Sequence, residues 1–127
     1  MFRLALVPGK GRGLVASRPI PSGALIERAP GVRLNPPDRA LVDRTSLFAY
    51  TFADPQTFGQ AEHDCLIAFG ALTFCNHSVQ PNATVLWDSD TIGLWARLEA
   101  LRDIAAGEEI TLFYTNISEY SADDFLI

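Results

Sequence analysis

Arg18-Pro19-Ile20-Pro21-Ser22-Gly23-Ala24-Leu25-Ile26 is echoed by Arg102-Asp103-Ile104-Ala105-Ala106-Gly107-Glu108-Glu109-Ile110. Both read R-x-I-x-x-G-x-x-I, position for position. In each, a strand end leads into a turn, the glycine supplies a backbone angle that other residues avoid, and a new strand follows. Two copies are too few to stack as a solenoid. They predict two similar β-turn units within one small, mostly β fold.

Outward from these units the chain reads as short strands punctuated by turns. Residues 2–7 form an apolar opening strand, and Pro8-Gly9-Lys10-Gly11-Arg12-Gly13 a flexible, basic, glycine-rich loop. Further strands are expected over 14–17, 24–28 and 32–34, the last bracketed by Pro30-Gly31 and Pro36-Pro37. Asp38 is placed to cap a helix through Arg39, Leu41 and Val42 toward Leu47. Asp54-Pro55 breaks the chain, and 56–64 reads as a polar loop. Residues 66–74 are apolar on all sides, which predicts a buried segment with a short helix or helical turn. A strand over 83–87 is expected to turn at Asp88-Ser89-Asp90. Residues 92–101 fit a helix through Leu94, Leu98 and Leu101. They also fit a strand through Ile92, Leu94, Ala96, Leu98 and Ala100, and Gly93 favours the hairpin. A last strand covers 110–114, and an acidic-aromatic tail follows from 118.

The chain of 127 residues, 48% hydrophobic and 20% charged, is sized for one soluble globular domain over 1–127. A net charge of −5 argues against a direct nucleic-acid binder and favours basic partners. The longest apolar run, 65–75, is interrupted by Gly70 and Thr73 and is too short for a bilayer, so no membrane association is expected. Met1-Phe2-Arg3-Leu4 runs into Pro8-Gly9 without the layout of a signal peptide, which predicts an intracellular protein. On that basis the N-x-S/T matches at Asn76, Asn82 and Asn116 read as chance.

Three segments offer chemistry. Gly11-Arg12-Gly13 allows a backbone to approach a ligand, but lacks the spacing of a dinucleotide fingerprint or a P-loop. Asn76-His77-Ser78, closing the apolar run, reads most simply as a polar turn. A Ser–His hydrolase is disfavoured because adjacent residues seldom face each other and there is no G-x-S-x-G elbow. Tyr114 ends a strand as either an amphipathic aromatic or a phenol aimed into a pocket. His63, Cys65, Cys75 and His77 form a fourth grouping, a candidate for a small zinc-binding interaction domain. Their spacing does not match the usual zinc patterns, so two apolar thiols and no metal are expected.

Taken together, Gly11-Arg12-Gly13, then Asn76-His77-Ser78-Val79-Gln80-Pro81-Asn82, then Gly107-Glu108-Glu109-Ile110-Thr111-Leu112-Phe113-Tyr114 resemble the SET-domain protein lysine methyltransferases in motif and order. Ala100-Leu101-Arg102-Asp103-Ile104 is similar to the family's lead-in, and the resemblance covers about 7–114. It implies a β-clip-like fold of several small antiparallel sheets, with short helices and a C-terminal segment threaded knot-like near the centre. It makes 92–101 a strand. It implies S-adenosylmethionine as cofactor, held by Gly11, Arg12, Gly13, Asn76, His77 and Tyr114. Tyr114 matches the active-site tyrosine, and Tyr50 looks like a channel tyrosine of the small virus-type members. The implied reaction is methyl transfer to a lysine of a basic, histone-like protein or peptide inside a cell, in the cytoplasm if the protein is bacterial and in the nucleus if it is eukaryotic or viral. Val79 and Thr115 depart from the pattern, and no cysteine-rich flank completes the substrate site. Tyr120 and Phe125 of the 115–127 tail, or a second subunit of a homodimer, are the expected covers for the channel. The departures also allow a SET-like binding module without catalysis.

Overall fold

Ile20 and Ile104, the third residues of the two repeat units, pair with each other. In the computed structural model, which describes residues 1–120, each donates its N–H to the other's carbonyl at 2.8 Å, and each is 1% exposed. The neighbouring bonds obey the same reciprocity. Gly107 N–H reaches the Ala16 carbonyl at 2.7 Å, and Gly23 N–H reaches the Ala100 carbonyl at 2.8 Å. Ala16 N–H donates to Glu108 at 2.9 Å, and Ala100 N–H donates to Ala24 at 3.0 Å. The two units are thus related by a local two-fold axis. Gly23 and Gly107 adopt φ of +82° and +84°, the left-handed region that a side chain would oppose.

The elements follow from this frame. β1 (Phe2–Val7) and β2 (Gly11–Ala16) form a hairpin, and β3 (Leu25–Leu34) leaves the first turn unit. A helix α1 (Pro36–Val42) and a 3₁₀ turn (Ser46–Tyr50) follow, then β4 (Phe52–Ala53) and β5 (Cys65–Ala68). A second 3₁₀ turn (Ala71–Phe74) leads to β6 (Asn76–His77), β7 (Ala83–Ser89) and β8 (Leu94–Ala100). β9 (Glu109–Leu112) leaves the second turn unit, and a 3₁₀ turn (Ile117–Glu119) ends the described chain. One sheet has the order β1-β2-β9-β6, the other β4-β5-β3-β8-β7. Every pairing is antiparallel except β6 with β9. Leu14, Ala16, Ile110 and Leu112 of the first sheet join Ala29, Ala68, Leu98 and Ala100 of the second in one buried cluster. The fold is mostly β with several small sheets, as expected, and β9 is central in its sheet.

Several local expectations are corrected. The strands expected over 24–28 and 32–34 are one strand, β3, which continues through Pro30. β5 pairs with β3 only from Gly31 onward, so the missing N–H of Pro30 interrupts no β3–β5 ladder bond. Asn35, not Asp38, caps α1: its side-chain oxygen accepts the Asp38 N–H at 3.1 Å. Pro36 and Pro37 start the helix, where no N–H is needed, rather than bracketing a strand. α1 stops at Val42, and Leu47 belongs to the next turn. The apolar run splits into β5 and a 3₁₀ turn around Phe69-Gly70, and Phe69 is 64% exposed rather than buried. β2 already begins at Gly11, β7 runs on to Ser89, and the turn lies at 90–93. Asp90 holds that turn by accepting from Ile92 N–H, Gly93 N–H and the Trp95 indole. The last strand is shorter than expected, because the chain leaves the ladder after Leu112.

Two side chains replace missing backbone partners around β9. Asn82 is 1% exposed, and its Oδ1 accepts the Thr111 N–H at 2.8 Å while Nδ2 donates to the Glu109 carbonyl at 2.7 Å. Glu108 receives Arg102 at 2.7 Å and the Ala105 N–H at 3.0 Å, which brings its carboxyl down to about 2. Asn82→Ala orphans a buried N–H and a buried C=O, so we expect a loss of about 3 kcal/mol in urea unfolding. Asn82→Asp, which loses the donor and adds charge beside Glu108, should be comparably destabilised.

Candidate functional site

Asn76 and His77 are held by the strand that the second repeat unit launches. Parallel pairing sets Asn76 beside Thr111 and His77 beside Leu112. Asn76 is 8% exposed and donates Nδ2 to the Arg12 carbonyl at 3.2 Å and to Glu109 Oε2 at 2.7 Å. Lys10 neutralises the same carboxylate from the other side at 3.1 Å. Gly13 explains the second glycine of the G-x-G. A β-carbon there would lie 2.8 Å from Asn76 Nδ2, Glu109 Oε2 and Val7 Cγ2. Without it, β2 comes close enough for the Arg12 carbonyl to meet Asn76. Gly11 has a plainer place, closing the β1–β2 hairpin opposite Val7.

His77 is a buttress. The Tyr114 backbone N–H donates to His77 Nδ1 at 2.9 Å, which requires that nitrogen unprotonated. The ring packs against Phe113 and Tyr114, with centroids 4.9 and 5.3 Å away. Burial, then the charge of Lys10, lower its pKa from the ordinary histidine value. Ser78 Oγ accepts the Gln80 N–H at 3.1 Å, so serine and histidine hold backbone rather than each other.

The Tyr114 hydroxyl donates to the Cys75 carbonyl at 2.6 Å. Burial, then neighbouring Tyr120, raise its pKa well above the usual phenol value, so it remains a neutral phenol. Cys75 closes a 3₁₀ turn whose N-terminus is capped from far away in sequence. Glu27 on β3 accepts the N–H groups of Ala71 and Leu72 at 3.1 and 2.7 Å.

Two cavities adjoin these residues. The larger, about 330 Å³, has Tyr50, Phe52, Trp87, Phe113, Tyr114 and Tyr120 on its wall, and none of its described lining residues is charged. The smaller, about 290 Å³, is lined by Arg12, Leu47, Tyr50, Ile67, Ala68, Thr73 and Phe74. Tyr50 and Thr73 belong to both walls. Tyr50 packs on Phe74 at 5.4 Å, and the Arg12 guanidinium lies 4.7 Å from the centre of the same Phe74 ring. Gly11, Gly13, Asn76 and His77 are not among the residues that line either cavity. Tyr120 packs on Tyr114 at 5.3 Å and lines the larger cavity, while Phe125 lies outside the described residues.

The zinc grouping does not assemble. No three His, Cys, Asp or Glu residues gather as a metal site among the described residues. His63 is instead 2.8 Å from Arg39. Burial, then Asp43, push the Cys65 thiol up to about 11, and burial pushes Cys75 up further, so both remain thiols. The sequence does not single out Thr73, Phe74, Glu109 or Glu27 as site residues. Glu109 sits inside the motif already quoted, but Glu27 gives no sequence signal, because its partners lie across the fold.

Comparison with known proteins agrees with this arrangement. The chain is similar in structure to a Plasmodium falciparum protein assigned as a histone methyltransferase, with a TM-score of 0.70 and 21% identity. That match covers 89% of this chain and 91% of the other. It is similar also to the Neurospora SET domain protein DIM-5, a histone lysine methyltransferase, with a TM-score of 0.68 and 20% identity. There it covers 91% of this chain but 52% of the other. No curated protein matches by sequence. The SET domain model matches residues 11–115, from the first glycine of the G-x-G to the residue after Tyr114. A match of that extent, on a chain with this topology, makes the protein a member of the SET-domain family.

Proposed function

We propose that the protein is an S-adenosylmethionine-dependent protein lysine N-methyltransferase. The observation that carries this reading is the pair of cavities meeting at Tyr50 and Thr73, with Tyr114 on the larger wall. A charge-free aromatic cavity suits the stem of a lysine. An adjoining cavity with one cation and apolar walls suits an amphipathic, zwitterionic cofactor. The residues present fit the cofactor. The Arg12 guanidinium makes no hydrogen bond or ion pair among the described residues, while Asn76 holds the Arg12 carbonyl. When bound, S-adenosylmethionine supplies an electrophilic methyl group on a positively charged sulfur.

The protein's own work is desolvation and alignment. A free lysine amine has a pKa of about 10.4 and attacks only when neutral. Desolvation in a cavity whose described lining holds no carboxylate disfavours the ammonium form and lowers that pKa. Tyr114 has its proton committed to Cys75, so its oxygen offers lone pairs toward the cavity and accepts no proton. Backbone and phenol oxygens then orient the reacting groups by weak polar contacts, and alignment itself is worth about 7–11 kcal/mol in favourable cases. His77, committed to the Tyr114 N–H, holds the tyrosine rather than acting as a base. The net charge of −5 favours a basic substrate protein.

Calorimetry with S-adenosylmethionine should give one site per chain, weakened roughly tenfold by Asn76→Ala, a loss of about 1.4 kcal/mol. A folded sample silent at millimolar cofactor would sink the reading.

Turnover should rise with pH through the neutral and alkaline range, because the substrate amine must lose its proton. At the acid end the sign comes from His77, whose folded pKa lies below its unfolded value of about 6.5. Its contribution to stability is complete above that value and is lost as pH falls through the lower folded value. A pH–rate profile that is flat from 6 to 9 in a folded protein contradicts the mechanism.

Tyr114→Phe keeps the ring and removes the hydroxyl. Methyl transfer to basic peptides should fall about 100-fold, or 2.7 kcal/mol, with cofactor affinity within a few-fold. Near wild-type turnover in that variant would falsify the role of Tyr114.

A further inference from the structure

We infer that Glu27 is a positioning residue for Tyr114: it holds the turn that presents the Cys75 carbonyl, and through that carbonyl it sets where the Tyr114 hydroxyl stands. This inference rests on the role proposed for Tyr114 and deepens it.

The first observation is a two-point clamp. The 3₁₀ turn over Ala71–Phe74 has four residues, and its cap position, Gly70, has no side chain to accept the first N–H groups. Glu27 accepts them instead, Oε2 from Ala71 at 3.1 Å and Oε1 from Leu72 at 2.7 Å. Each carboxylate oxygen is committed to a different amide, which fixes both the place and the orientation of the turn. Glu27 makes no ion pair among the described residues, so its charge faces these two amides. The chain is shaped for the clamp on both sides. β3 shifts register against β8 between Leu25 and Glu27, and an irregularity of that kind re-aims a side chain. A β-carbon on Gly70 would lie 3.0 Å from Glu27 Oε1 and 2.7 Å from the Ala29 β-carbon, so the turn can begin against the carboxylate only because Gly70 has none.

The second observation is what the clamped turn carries. The Cys75 N–H donates to the Leu72 carbonyl at 3.2 Å, and the Cys75 carbonyl accepts the Tyr114 hydroxyl at 2.6 Å. Leu72, itself fully buried, therefore links the Glu27 carboxylate to Cys75 through its own N–H and C=O. An O–H···O bond is short and directional, so moving the acceptor moves the hydroxyl. His77 constrains Tyr114 at its backbone N–H, which leaves the phenol end to Cys75. Thr73 of the same turn lines both cavities, and Cys75 lines the larger. Glu27 is not among the residues that line either cavity, so it acts on the site through the turn alone.

The test follows labelled methyl transfer from S-adenosylmethionine to a panel of lysine-rich peptides, using the full chain and its Glu27→Gln, Glu27→Asp and Tyr114→Phe variants. Glu27→Gln keeps the shape but turns a donor toward one of the two amides, and Glu27→Asp keeps the charge but is too short to reach both. Each should lower kcat about tenfold, the cost of a small misplacement, with KM and cofactor affinity within about threefold. Combined with Tyr114→Phe, Glu27→Gln should change the remaining kcat by less than about twofold, because the hydroxyl it positions is gone. A role in stability alone would lower both backgrounds by the same factor. A second readout needs no turnover. The NMR resonance of isotope-labelled Tyr114 Cζ, assigned by its loss in Tyr114→Phe, should shift in Glu27→Gln and in Glu27→Asp. Circular dichroism checks that each variant is folded, and either Glu27 variant suffices for both readouts. Wild-type kcat in a folded Glu27 variant, an equal loss in both backgrounds, or a Tyr114 resonance that stays in place would each overturn the assignment. A wild type that transfers no methyl group, with a Tyr114 resonance that still shifts, removes the methyltransferase reading and leaves Glu27 as the residue that positions the hydroxyl.

Discussion

The reciprocal hydrogen bonds between Ile20 and Ile104 are the constraint on which the rest of the molecule depends. Each isoleucine is buried, so each backbone group must be paired inside the protein, and each finds its partner in the other unit. That pairing fixes two glycine turns back to back. One turn directs β3 into the larger sheet, and the other directs β9 between β2 and β6. The position of β9 then decides where Asn76, His77 and Tyr114 stand.

Placing a short strand in the middle of a sheet creates a supply problem for backbone partners. β9 has four residues, and β6, its parallel neighbour, has two. Asparagine side chains make up the difference. Asn82 presents one acceptor and one donor to β9 much as a neighbouring strand would. Asn76 bridges from β6 to the Arg12 carbonyl on β2 and to the Glu109 carboxylate. The polar residues of the family motifs therefore serve the fold and the site together, which explains why polar groups are buried so close to an apolar core.

The larger cavity achieves its chemical character by leaving charge out. Its described wall has six aromatic residues and no acid or base, and the one histidine nearby is occupied by a backbone N–H. Tyr114 is kept neutral by burial. Burial in a space without carboxylates disfavours a charged amine relative to a neutral one. The Arg12 charge is displaced to the adjoining cavity.

Much of this was legible in the residues. The repeat R-x-I-x-x-G-x-x-I announced two equivalent turns, because glycine and a buried isoleucine at fixed spacing have few structural solutions. The motif residues Asn76, His77 and Tyr114 do come together around β6 and β9. Other features depended on contacts between distant segments. Local pattern could not show that Pro30 sits where β5 does not pair, that Asn35 rather than Asp38 caps α1, or that Phe69 turns outward. Glu27 capping the turn before Cys75, Gly13 yielding space to Asn76, and Arg12 lying over Phe74 are all meetings across the fold. The sequence by itself determined the turn geometry and the inventory of chemical groups, since these follow from backbone angles and side-chain type. Only the tertiary structure decided which polar atoms are satisfied and which charge is left facing a cavity, because hydrogen-bond partners and burial are properties of segments far apart in the chain.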